Sequence, residues 1–179
     1  MLITERDERV LEFLEELKVA RASILHELFY PSYRVAARRL FALYKEGFLK
    51  RDRVPGQYEF YYYIAKPKQV KHALLVSDTY AYLHRTTTLH EFVVEPSIGD
   101  VRPDAVAAYE RDGTKEIAFI EVELSNKGLN LEKYEHLYIS GVWKDYFPVF
   151  PKILAVTDKR VPQTSLVVEV VQISNLRRF

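Results

Sequence analysis

Two groups of side chains in this sequence have the types and spacing to do chemistry. The first is acidic: Asp104, then Glu121 and Glu123 one residue apart, with Lys127 close behind. If 117–124 forms a strand, alternation puts Glu121 and Glu123 on the same face. A neighbouring strand that opens at Asp104 brings a third carboxylate beside them. Carboxylates gathered this way repel one another until a divalent ion or a basic partner relieves the repulsion. Asp104 and Glu121 are therefore the candidate ligands for Mg2+ or Mn2+, which would activate a water and steady a phosphate. Glu123 and Lys127 complete the candidate catalytic set. The second group is basic: Arg34, Arg38 and Arg39 in one short stretch, then Lys50, Arg51 and Arg53. Arginine forks match the edge of guanine, and lysines and arginines on a turn suit backbone phosphates.

Other chemistries have less behind them. The run Tyr61-Tyr62-Tyr63 offers stacking surfaces or a nucleophilic phenol. On an alternating strand, however, Tyr61 and Tyr63 face the core and Tyr62 faces out. A tyrosine that nicks DNA would need a histidine-held metal, and the five histidines (His26, His72, His84, His90 and His136) are scattered through different elements. The chain has no cysteine, which excludes disulfides, thiolate zinc sites and cysteine nucleophiles.

These residues need elements to hold them. Thr4 and Asp7 form a capping-box pattern, and Val10, Leu11, Phe13, Leu14 and Leu17 recur behind it at helical spacing. After a break at 18–21, Ile24, Leu25, Leu28 and Phe29 mark a second helix, stopped at Tyr30 by Pro31. Ser32 caps a third helix running to Glu46, with Gly47 placed for a left-handed stop. Arg34, Arg38 and Arg39 lie in its first half, opposite Leu40, Leu43 and Tyr44. The period then changes to that of a hairpin: a strand over 48–53, the turn Val54-Pro55-Gly56-Gln57, and a return over 58–64. Two helices, a third basic helix and a hairpin make the order of a winged helix-turn-helix. In that fold the third helix enters the major groove and the hairpin touches flanking backbone. Winged helices also serve as protein-docking modules.

Past the junction Lys66-Pro67-Lys68, the pattern is a helix to about Arg85 and strands over 91–95, 104–110 and 117–124. A helix over 131–146 and strands over 152–157 and 166–173 complete it. The expectation is an α+β chain with a DNA-binding domain at 1–65 and an α/β domain at 68–179. Formal net charge is only +1, so any nucleic-acid role rests on local patches. The start of the chain, Thr4-Glu5-Arg6-Asp7-Glu8, is too charged for a secretory leader. No apolar run reaches the roughly 18 residues that cross a bilayer. A soluble, cytoplasmic protein without membrane partners is expected.

The order helix, three-stranded meander, helix, strand resembles the core of the PD-(D/E)xK nucleases. Pro103-Asp104 is similar to that family's opening pair, and Glu121-Val122-Glu123 to its acidic strand, with Glu123 standing where the family carries lysine. Lys127 is the residue that would reach back in its stead. The whole chain to about Asp158 resembles the replication-relaxation family of plasmids and mobile elements in Gram-positive bacteria. The similarity is carried by Leu2-Ile3-Thr4-Glu5-Arg6-Asp7, Tyr30-Pro31-Ser32-Tyr33-Arg34-Val35-Ala36, His72-Ala73-Leu74-Leu75-Val76-Ser77-Asp78, Val101-Arg102-Pro103-Asp104-Ala105 and Glu121-Val122-Glu123-Leu124-Ser125-Asn126-Lys127. It implies an accessory role in plasmid replication, relaxation or mobilisation. Double-stranded DNA would be its ligand, and a replication protein, a relaxase or a second copy of the chain its partner. Three readings stay open: a DNA-binding accessory protein, a Mg2+-dependent nuclease steered by the winged helix, and a repressor whose second domain dimerises.

Overall fold

The computed structural model describes residues 2–125 and 128–176. The fold is mixed α+β, with two separate sheets. The chain divides into two compact units, Met1–Ala81 and Tyr82–Phe179. The division falls inside a helix, beyond the Lys66–Lys68 junction that the sequence offers.

In the first unit, α1 spans Glu5–Leu17 and begins with the expected capping box. The Thr4 backbone N–H donates to Asp7 Oδ2 at 2.8 Å, and the Asp7 N–H donates to Thr4 Oγ1 at 3.4 Å. Val10, Phe13, Leu14 and Leu17 are buried, as their spacing requires. The segment after α1 is not a plain break: Ala20–Arg21 forms a short strand, β1. Helix α2 covers Ala22–Phe29. It has no cap from the residue before it, and Glu59 accepts the Ser23 N–H at 2.7 Å instead. Helix α3, Tyr33–Lys45, is capped by Ser32, whose Oγ accepts the Val35 N–H at 3.3 Å. Its end closes as a Schellman turn. Phe48 N–H donates to the Leu43 carbonyl at 3.0 Å and Gly47 N–H to that of Tyr44 at 3.1 Å, with Gly47 at φ +83°.

Strands β2 (Lys50–Arg53) and β3 (Phe60–Tyr63) form the hairpin, and β1 adds to its other edge in the order β1-β3-β2. The turn closes through a Gln57 N–H to Val54 carbonyl bond of 2.9 Å. Because β3 is the central strand, Tyr61, Tyr62 and Tyr63 are all buried. The expectation that Tyr62 faces solvent is therefore corrected. Tyr61 and Tyr63 pack with Val19 and Leu74. Tyr62 lines a pocket together with Ala36 and Leu40 of α3. Helix α4 spans Val70–Thr86. Its Asp78 makes a buried ion pair with Arg21 of β1 at 3.1 Å, which ties the helix into the first unit.

In the second unit, β4 (Thr88–Val94), β5 (Ala105–Arg111) and β6 (Thr114–Val122) form an antiparallel meander. After α5 (Glu132–Ser140), β7 (Lys152–Val156) lies parallel to β6, and β8 (Val168–Val171) lies parallel to β7. The sheet order is β4-β5-β6-β7-β8. Residues Ala118, Phe119 and Ile120 of β6 and Ile153, Leu154 and Ala155 of β7 have no exposure. Runs of that kind belong to strands buried on both faces. The helix expected over 131–146 ends at Ser140, because Gly141 takes a left-handed conformation (φ +74°). A short 3-10 turn, Val142–Asp145, follows. Tyr134 and Leu137 of α5 pack on Phe119, Ile153 and Ala155, with the Tyr134 and Phe119 rings stacked 4.9 Å apart. Among the described residues, no helix is long and apolar enough to cross a membrane.

Candidate functional site

The basic residues of α3 do not share one fate. Arg34 and Arg38 are exposed, one turn apart on the same side of the helix. Arg39, expected beside them on the DNA-facing surface, is turned inward. Its Nε donates to Asp7 Oδ1 at 3.1 Å, a second nitrogen pairs with Asp7 Oδ2, and it also donates to the Leu2 carbonyl at 2.9 Å. One residue further along a helix is about 100° further around it, which carries Arg39 from the open side to the α1 side. Asp7 has no exposure and also accepts the Tyr30 hydroxyl at 3.0 Å. Burial pushes the Asp7 carboxyl up, but the hydrogen bonds from Arg39, Thr4 and Tyr30 outweigh it and hold it at about 2. Burial and the Asp7 charge push the Tyr30 phenol well above its ordinary range. Arg39 is a structural cation at the junction of α1, α2 and α3.

The hairpin presents its cations differently. Lys50 and Arg53 are exposed, and Arg51 is half-buried. The Arg51 guanidinium lies 4.1 Å from the Phe60 ring centre and 4.5 Å from that of Tyr44. Arg53 lies 3.9 Å from the Phe60 ring. Cation–π contacts of this kind hold the guanidinium plane while its N–H edges stay available. Between α3 and the hairpin runs a groove of about 640 Å3, bordered by Tyr33, Phe41, Tyr58 and Phe60 together with Arg51 and Arg53. The tyrosines of β3 are too buried to reach a nucleic-acid backbone.

The carboxylates come together only in part. Ala105 pairs with Ile120 in the β5–β6 register, so Asp104 and Glu121 are neighbours across the two strands. Asp104 Oδ2 accepts the Val122 N–H at 2.7 Å, and the Asp104 N–H donates to the Ile120 carbonyl at 3.1 Å. Burial pushes the Glu121 carboxyl up, hydrogen bonds from Lys133 and Tyr134 pull it down, and the Asp104 charge pushes it up again; the net shift is upward. Lys133 Nζ lies 2.8 Å from Glu121 Oε1, and the Tyr134 hydroxyl donates to the same oxygen.

Glu123 does not join this pair. Strand β6 ends at Val122, so alternation no longer governs the next side chain but one. The Glu123 carboxylate accepts the Ser125 N–H, and its carbonyl accepts the Thr157 hydroxyl at 3.0 Å. The expected three-carboxylate cluster is corrected accordingly: among the described residues, no group of three or more histidines or carboxylates is arranged to hold a metal. Lys127 lies outside the described residues. Sequence reasoning missed Lys133 and Tyr134. Both lie in the first turn of α5, which packs Tyr134 and Leu137 back onto the sheet beside Glu121. Apolar residues three apart at the start of a helix that follows an acidic strand were the available signal. Lys133 also borders a cleft of about 430 Å3 with His136 and Ser140.

Compared with protein-family profiles, with curated proteins and with solved structures, the chain matches none.

Proposed function

We propose that this chain is a DNA-binding accessory protein of plasmid or mobile-element replication, relaxation or mobilisation. On this reading the first unit is a winged helix: α3 enters the major groove and the β2–β3 hairpin is the wing. The observation that carries it is the pair Arg34 and Arg38, exposed one turn apart near the start of the Ser-capped α3. Lys50 and Arg53 stand exposed on the hairpin that follows. Arginines at the head of a helix reach guanine edges, and hairpin cations neutralise phosphates. The resemblance of the sequence to the replication-relaxation family supplies the biological setting. Sequencing the DNA fragments that the purified protein retains tests the reading. A recurrent motif near a replication or transfer origin supports it; a palindrome at the protein's own promoter would favour a repressor; fragments with no shared sequence would count against both.

A second reading is favoured by one observation, the adjacency of Asp104 and Glu121 with Lys133 in contact. On it the second unit is a PD-(D/E)xK-like nuclease whose lysine comes from α5 rather than from the strand. Asp104 and Glu121 are the residues that would hold Mg2+ or Mn2+, and one or two carboxylates with water suffice for such ions. The ion would supply Lewis acidity toward a phosphodiester. Lys133 offsets part of the upward push that burial gives the Glu121 carboxyl, and the Tyr134 hydroxyl fixes which way that carboxylate points. Relaxation or linearisation of supercoiled plasmid by the wild type with Mn2+, lost in Glu121→Gln, supports this reading; an unchanged plasmid opposes it.

A further inference from the structure

The groove between α3 and the hairpin has an aromatic lining that duplex recognition does not use. Along α3, Tyr33, Ala37 and Phe41 recur every fourth residue and form a stripe beside the one that carries Arg34 and Arg38. The stripe is open: Tyr33 is 65% exposed and Phe41 47%. Facing it across the groove are Phe60 and Tyr58, and Tyr58 is 94% exposed. Single exposed aromatics are ordinary on protein surfaces. Five aromatic side chains line this groove of about 640 Å3, with two arginines at its edge; Arg51 lies over Phe41 and, with Arg53, over Phe60, which leaves Tyr33 and Tyr58 as its most exposed rings.

Charge narrows the choice of occupant. The carboxylate that borders the groove is Glu59, and its Oε1 is bound by the Ser23 N–H at the start of α2. The guanidinium groups of Arg51 and Arg53 are held by ring contacts and, among the described residues, by no carboxylate, so the rim favours an anion. Aromatic faces interleaved with arginine are the composition of single-strand binding surfaces, where bases stack on rings and phosphates meet cations. In intact duplex the grooves display base edges, and the ring faces are covered by neighbouring base pairs. A groove of this size falls within the range that encloses small ligands.

We infer that this groove takes an unpaired nucleobase, so that the first unit recognises duplex DNA next to a single-stranded stretch. The inference rests on the DNA-binding reading above and adds the kind of DNA. Its test compares a blunt duplex with the same duplex carrying a short single-stranded tail. A 2-aminopurine stands at the first unpaired position, and binding of the full chain is followed by fluorescence. The tailed duplex is expected to bind about tenfold more tightly at the same salt, equivalent to about 1.4 kcal/mol, with quenching of the 2-aminopurine. Tyr33→Ala with Tyr58→Ala removes this preference and leaves blunt-duplex affinity unchanged; both positions are exposed, so the variant keeps its fold. Arg38→Ala weakens both ligands alike. Equal affinity for blunt and tailed duplex, or a preference that survives the double substitution, overturns the inference while duplex binding stands. Binding to neither ligand overturns the DNA-binding reading as well.

Discussion

Asp7 joins α1 to the end of α2 and to α3, since its buried carboxylate collects donors from Thr4, Tyr30 and Arg39. Removing one partner of a buried pair leaves a charge without compensation and costs about 3 kcal/mol or more. Arg39→Ala is therefore expected to lower the urea midpoint strongly, and Arg38→Ala to leave it unchanged. Asp7 titrates at about 2 in the folded chain, below its ordinary value of about 3.9. A depressed carboxyl stabilises the fold above its unfolded value and loses that contribution as the pH falls. The wild type should thus lose stability between about pH 4 and pH 2, and Asp7→Asn should show a flatter urea-midpoint profile there. Glu121 has the opposite sign: its raised value means that protons compete with any cation at the site. Mn2+ heats measured by calorimetry should grow with pH and vanish in Asp104→Asn. Equal heats from wild type and Asp104→Asn would refute a shared Asp104–Glu121 site. The capping role of Asp7 was legible from Thr4 three residues earlier. The inward turn of Arg39 was not, because a cluster of arginines does not say which side of the helix packs.

At the scale of elements, hydrophobic period and stop signals carried most of the information. Helix α3 runs from its Ser cap to its glycine stop as the pattern indicates, and the order of the meander strands agrees as well. Gly47 at φ +83° closes α3 before the hairpin. A side chain there costs about 1–2 kcal/mol, so Gly47→Ala should lower the melting temperature by several degrees. An unchanged melting temperature would mean that the Schellman turn does not matter to the fold. The misses have physical causes. Two residues, Ala20–Arg21, are too few to show any period, so β1 was invisible, and with it the burial of Tyr62. Gly141 inside an apolar-periodic stretch reads as a tolerated glycine until its backbone conformation is known. Glu123 sits one residue past the end of β6, where alternation stops applying.

For the molecule as a whole, the boundary between the units falls at Ala81–Tyr82 because Leu74 and Asp78 of α4 pack and pair within the first unit. The Arg21–Asp78 pair joins residues far apart in sequence, and no local pattern announces it. With a net charge of +1, the chain has no overall field to draw it to DNA, so on the proposed reading its affinity comes from the few cations of α3 and the hairpin. That makes the central claim directly measurable. Fluorescence anisotropy of the full chain with duplex DNA, over a salt series, gives affinity and salt slope together. Affinity should fall linearly on logarithmic axes. Arg38→Ala should cost about 1–3 kcal/mol on a preferred sequence, and Arg53→Ala should reduce the salt slope by about one. Duplex affinity unchanged in Arg34→Ala with Arg38→Ala at fixed salt would contradict DNA recognition by α3.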